Sequence, residues 1–507
     1  MRKLLFLFIV GLTISLTSCR KDFVFEPNTG GLQFSKDTVY LDTVFTNIGS
    51  STYRLKVYNN SDKDISIPKI QLRKGITSKY RITVDGMTGD IGATNKIFSN
   101  VELLAKDSLF IFIEVTADVA NANLTDFLYT DKIDFYNTTN TPQTVDLVTL
   151  IQDAYFLYPK KFSDGTTETL PIGDQEIYGF FLDHNDPVNG DEYIWNNTKP
   201  YVIYGYAAVA SDEILNVQAG ARIHFHDNSG LIVAQNGTLK VNGSDSTTDA
   251  LENEIIFEGD RLEPQFSDVP GQWGTIWLTS GSKNHTIKNL TIKNAVVGLL
   301  IENNAGTAMS IDETQIYNSS NIGIYAKTAT IVGKNIAINY GGQATLACTL
   351  GGSYDFKHCT FNNNWPSSSQ VALLVDNFFK DQSNVEQVFP LTKAEFRNCI
   401  ITGSNQVELL LKKASTGVWT TPIFEKCLIK FNNTNNQFTN DPLYQFLNTA
   451  TIFKNKNPKF ENINTNKLNI LVDSEAKDIG DNLGITTDIV GNSRVGNPDL
   501  GAYEFQP

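Results

Sequence analysis

The chain has 507 residues, is 41% hydrophobic, and carries 41 basic against 55 acidic side chains for a formal net charge of −14. The apolar content argues against global disorder, and the acidity argues against nucleic acid or an anionic lipid surface as an electrostatic partner. The length allows two or more domains.

Arg2 and Lys3 precede an apolar run from Leu4 to Leu16 and small polar residues before Cys19, the pattern of a secretory signal peptide. The run is shorter than the ~20 residues of a spanning helix, so it is expected to be removed. Leu16-Thr17-Ser18-Cys19 resembles the lipobox of bacterial lipoproteins. The resemblance implies cleavage before Cys19 and a diacylglycerol on its thiol. Residues 1–18 are then a signal peptide and 19–30 a flexible tether, with the membrane as partner through the lipid. One acyl chain holds a protein marginally at a bilayer, whereas two or three hold it durably.

Residues 31–155 alternate apolar and polar positions: Leu32 and Phe34, Val39 and Leu41, Tyr53 to Val57, Ile65 and Ile67, Leu109 to Val115, Ile133 and Phe135, Val145 to Thr149. Period two with Asn- and Ser-rich breaks predicts half-buried antiparallel strands, and about seven of them predict an immunoglobulin-like β-sandwich. The stretch from Asp37, continuing through Ser50-Ser-Thr-Tyr-Arg-Leu-Lys-Val-Tyr-Asn59, resembles sandwich modules related to those of cilium and centrosome proteins. That implies a spacer or adaptor. Residues 156–200 read as a connector.

From Tyr201 short apolar strands alternate with Gly and Asn turns, and Gly220 and Gly237 stand 17 apart in matching segments. An apolar-x-x-apolar-x-apolar repeat follows, centred on Leu290, Thr314, Ile336, Cys359, Cys399 and Cys427, in steps of 24, 22, 23, 40 and 28. Each repeat leads into a further strand, such as Gly298–Ile301, Gly323–Ala326, Ala372–Val375 and Val407–Leu411. Short strands recurring every ~23 residues, with no room for helices, predict a parallel β-helix stabilised by stacking of neighbours. It is expected over 201–445, with 446–507 as its C-terminal end or cap. Asn294, Asn318, Asn339 and Asn363 are expected to form a corner ladder, because asparagine tolerates left-handed backbone. Cys359, Cys399 and Cys427 are expected in one inward column as buried thiols; stacked disulfides are the alternative. With Cys348 they show no metal-ligand spacing.

Gly271-Gln-Trp-Gly-Thr-Ile276, Ile287 to Ala295, Gly351 to Phe361 and Asp488 to Glu504 resemble the right-handed β-helix lipoproteins of Bacteroidetes. The resemblance implies an all-β, pectin-lyase-like fold. It implies no single activity, because the fold family includes polysaccharide lyases, glycoside hydrolases and adhesins.

The outward positions one before the repeat centre are Asn289, Glu313, Asn335, His358, Asn398 and Lys426, and two before it Lys288, Asp312, Lys334, Lys357, Arg397 and Glu425. They contain no matched carboxylate pair of the kind glycoside hydrolysis uses. The leading reading is therefore a lipid-anchored, cell-envelope protein, expected at the outer membrane, binding polysaccharide or cell-surface glycan without catalysis or cofactor. The alternative is a lyase or hydrolase, with Lys357, His358 and Arg397 as base and carboxylate clamp. Trp273, Trp277 and Trp365, with the acidic loop from Glu258 to Glu263, are the candidates for sugar contact. His224, His226 and Asp227 are the metal alternative, the two imidazoles being expected on one exposed side.

Overall fold

A computed structural model describes residues 24–122, 127–173 and 175–506. The chain divides into two compact units between Asp153 and Ala154. Both are built almost wholly of strands, with short 3-10 turns, and no helix among the described residues is long and apolar enough to cross a membrane.

In the first unit the strand Ser108–Val115 buries Leu109, Ile111, Ile113 and Val115 and exposes Phe110 and Phe112. Alternate Cβ atoms point to opposite faces of a strand, so the period-two pattern becomes one apolar face. This strand lies between Tyr53–Tyr58 and Tyr80–Val84 in a four-stranded antiparallel sheet. A six-stranded sheet contains Thr38–Phe45, Ile65–Leu72, Ile97–Leu103, Leu128–Phe135 and Gln143–Gln152. Gln143–Gln152 pairs antiparallel with Leu128–Phe135 and parallel with Thr38–Phe45. Leu41, Val57, Ile67, Ile113, Phe135 and Val145 meet in one core.

The second unit holds two large parallel sheets, of 17 and 10 strands, an arrangement compatible with a β-helix. The chain passes from one to the other and back: Thr286–Lys293, then Ala295–Ile301, then Met309–Ser319, then Ile322–Lys327. Each return pairs parallel with the strand before it, so the sequence repeat becomes a set of columns. Ile287, Ile311, Gly333, Phe356, Phe396 and Phe424 stand opposite one another in succession. The rings of Phe356, Phe396, Phe424 and Phe446 stack with centroids 5.5, 5.0 and 4.7 Å apart. A Cβ on Gly333 would lie 2.7 Å from the Phe356 ring, so glycine makes room at the head of this stack. Phe446 sits on the 3-10 turn Pro442–Asn448, which closes that end of the core with Tyr444 and Leu447. Cys359, Cys399 and Cys427 are fully buried free thiols, as is Cys348. The 40-residue step contains the hairpin Phe378–Lys380 with Glu386–Val388.

Two sequence expectations need correction. The connector region is part of the stack: Thr169–Ile172, Gln175–Phe181 and Ile194–Trp195 join the large sheets, and Trp195 is fully buried. These strands are short and separated by Asp- and Asn-rich turns, which hides them from a repeat search. The segment after 446 closes more than an end. It returns along the outer face of the larger sheet, with Leu468, Ile489 and Tyr503 packed on Tyr317 and Ala337. Ile470, Ala476 and Leu500 pack on Ile400 and Leu428.

Candidate functional site

The column Lys288, Asp312, Lys334, Lys357, Arg397 and Glu425 is in continuous register. Its charges are compensated partly across strands, within the column, and partly along a strand, by the residue two before. Lys334 Nζ is 3.7 Å from Asp312, Lys357 Nζ is 3.7 Å from Asp355, and Arg397 lies 2.6 Å from Glu395 and 2.8 Å from Glu425. Lys357 and Arg397 are both engaged in ion pairs on this face. Cross-strand opposite charges are a normal way to stabilise a sheet face.

One residue on, Asn289, Glu313, Asn335, His358, Asn398 and Lys426 all have positive φ, between 44° and 53°. This column is a left-handed corner, which explains its three asparagines but is not announced by Glu, His or Lys. His358 is fully buried there, so it cannot take a proton from a surface-bound polymer. Burial, aided by the Arg494 charge, pushes its pKa down to about 3. Of the expected asparagine ladder, Asn318 Nδ2 donates to Asn294 Oδ1 at 3.2 Å, but Asn339 is bonded by Asn362, not Asn363. The reason is register, since Asn339 stands opposite Tyr317, one residue earlier than Asn318.

The metal alternative is not assembled. His224 is buried with Nδ1 3.3 Å from Gly259 O, whereas His226 is half-exposed and paired with Asp260 at 2.7 Å. Asp227 is exposed, and among the described residues no group of three His, Cys, Asp or Glu could hold a metal. The tryptophans also separate. Trp273 is a core residue, stacked on Phe225 at 4.4 Å with Nε1 donating to Lys293 O. A register shift between Thr275 and Ile276 reverses the alternation, so Trp277 faces outward and packs with Leu170, Ala208 and Ile232. Trp365 is half-buried and follows Asn364 at the end of a strand. In the acidic loop, Glu258 faces Lys293 and His224, while Arg261 pairs with Glu263.

A polar groove of about 590 Å³ lies where the C-terminal segment leaves the larger sheet. An outward column runs through Tyr317, Asn339, Asn362 and Thr402. The returning segment crosses it at Asn339, whose Nδ2 donates to Ile463 O and Asn466 Oδ1 at 3.0 and 2.9 Å. Beyond that crossing the groove opens. Asn362, Asn364, Thr402, Lys430 and Asn432 form its sheet side, and Asn455 to Ile463 the other. Asn364 Nδ2 is buried and has no hydrogen-bond partner among the described residues. Amides that each donate and accept, along an open channel, suit a ligand rich in hydroxyl groups. The two walls come from segments far apart in the chain, and the only sequence signal was the density of asparagine after 430.

Cys19 lies outside the described residues. No protein-family model matches the chain, and no curated protein does. Among solved structures, a catalytic domain of a family 87 alpha-1,3-glucanase, determined with tetrasaccharides, aligns over 76% of this chain and 81% of its own, at 11% identity and a TM-score of 0.22. The ASH/PapD-like domain of human CEP192 aligns over 27% of this chain and 96% of its own, at 10% identity and 0.16. A family 123 glycoside hydrolase from Clostridium perfringens aligns over 25% of this chain, at 8% identity and 0.17, and this chain spans only 30% of its length. Overlaps this loose carry no argument about fold or activity.

Proposed function

We propose that this is a cell-envelope lipoprotein, anchored through Cys19, which binds glycan in the asparagine-lined groove without cleaving it. In this reading the C-terminal unit is a right-handed parallel β-helix of the Bacteroidetes lipoprotein type, and the first unit is an immunoglobulin-like spacer. The observation that carries it is the groove itself, with Asn362, Asn364 and Asn432 facing Asn455, Asn457 and Asn462. Its volume falls within the ~300–1,000 Å³ of ordinary ligand sites. The engagement of Lys357 and Arg397 in ion pairs, and of His358 in a buried corner, supports binding over catalysis.

The test is to present the purified protein with a panel of plant, algal and host polysaccharides. Retention on a glycan without new reducing ends or unsaturated products absorbing near 235 nm is expected. Turnover abolished by Lys357→Ala would replace this reading with a lyase or hydrolase. For the anchor, Cys19→Ala is expected to lose acylation and membrane association, and protease shaving of whole cells distinguishes external from periplasmic exposure.

A further inference from the structure

The groove also carries information about the charge of its ligand, an inference that rests on the glycan reading above. Four charged side chains line it, and each is already engaged. Lys456 pairs with Glu475 at 2.8 Å, Lys459 pairs with Asp473, and Glu461 pairs with Lys467 at 2.9 Å. The fourth, Lys430, donates from Nζ to Gly403 O at 2.5 Å. An anionic polymer would have to compete with carboxylates for two of the three lysines, and it would approach a chain of net charge −14. The long-range field of such a chain opposes polyanions.

What remains for recognition is uncharged. Asn364 and Asn432 line the groove with amides that both donate and accept, so they can meet hydroxyl and ring oxygens without a charge that needs neutralising. Asn362 and Thr402 stand opposite each other on adjacent parallel strands. Polar groups therefore recur along the stacking direction at about 4.8 Å, the spacing of neighbouring strands. We propose that the groove selects an uncharged, linear polysaccharide lying along the stack, and discriminates against uronate-rich or sulfated chains.

Affinity electrophoresis of the whole protein tests this, with dextran, mannan and laminarin as neutral probes and dextran sulfate, polygalacturonate and alginate as anionic ones. At least one neutral polymer is expected to retard the protein at least about tenfold more effectively than any anionic one, with less than about a twofold change between low salt and ~0.5 M salt. Asn364→Ala and Asn432→Ala, each checked for an unchanged circular dichroism spectrum, are expected to weaken retention at least about fivefold. Stronger retention by the anionic polymers, or its collapse in salt, would overturn the charge assignment while leaving the groove as a glycan site. Undiminished binding by both asparagine variants, or retention by neither class of polymer, would overturn the glycan reading of the groove and this inference with it.

Discussion

His358 Nε2 lies 2.9 Å from Asn398 Nδ2, a hydrogen bond between two residues that each hold left-handed backbone on adjacent layers of the larger sheet. The Asn398 amide is oriented by Asp481, whose N–H donates to Oδ1 at 3.0 Å and whose carbonyl accepts from Nδ2 at 2.7 Å. Nε2 must therefore accept, and the imidazole is neutral. A protonated ring would turn one N–H toward another.

This gives a pH prediction. Burial lowers the His358 pKa from 6.5 to about 3. Between those values the unfolded chain binds a proton that the folded chain refuses, so stability is lost as pH falls below 6.5. The full loss is about 5 kcal/mol, reached near pH 3. His358→Asn places at this corner the residue already found at 289, 335 and 398. Denaturant midpoints from pH 7 to pH 4 are expected to fall less steeply in the variant than in the wild type. Parallel curves would show that the imidazole is not neutral and buried as described.

A second prediction concerns the C-terminal segment. Arg494 donates to Glu504, Asn335 Oδ1, and the carbonyls of Thr487, Asp499, Gly501 and Ala502. Burial lowers the Arg494 pKa and raises that of Glu504, so the pair's attraction does not fully offset its desolvation. Breaking it is nonetheless costly, because a buried charge is left alone. Arg494→Met is expected to destabilise by about 3–5 kcal/mol, and Arg494→Met with Glu504→Leu by less than the single change. A double-mutant cycle of unfolding free energies checks the order; a double variant worse than the single one would contradict it.

The residues at these two sites show what the sequence could and could not reveal. The columns at Phe356, Phe396 and Phe424 and at Cys359, Cys399 and Cys427 were legible because every inward side chain must match its neighbour above and below. The left-handed corner was legible at Asn335 and Asn398 but not at Glu313, His358 or Lys426, where residue type gives no hint of positive φ. The opposite facing of Trp273 and Trp277, four residues apart, was not legible because a single register shift is invisible to a parity argument. His224 does point outward, as alternation requires, yet the neighbouring strand end at Gly259 covers it. Nor does local periodicity show that residues after 456 return to bury the outside of the sheet and wall a groove.

The cysteine column provides a third prediction. Burial raises the thiol pKa of Cys348, Cys399 and Cys427 well above the usual value. Thiolates are the reactive species, so a thiol reagent is expected to modify none of Cys348, Cys359, Cys399 and Cys427 in the native state and all four after unfolding. The melting temperature is expected to be the same with and without reductant. A reductant-dependent fall would reveal a disulfide.

Glu408 gives the last prediction. The carboxyl is wholly buried behind Gly403, with Oε1 accepting from Asn405 N at 2.7 Å and from Gln370 Nε2 at 3.4 Å. Its Oε2 and the Gln370 Oε1 are both buried with no partner among the described residues. Burial raises the pKa from 4.5 to about 7, against the opposing pull of the Asn405 N–H and the Gln370 amide. Here the folded chain keeps a proton that the unfolded chain gives up, so stability falls as pH rises from 4.5 to about 7 and stays low above it, by about 3 kcal/mol in all. Glu408→Gln preserves the shape and the acceptor for Asn405 while adding a donor for the orphaned oxygen. It is expected to be more stable than the wild type at pH 8, with the advantage shrinking toward pH 5 in urea titrations. A variant less stable at pH 8 would mean that the ionised carboxylate is the form the fold is built around.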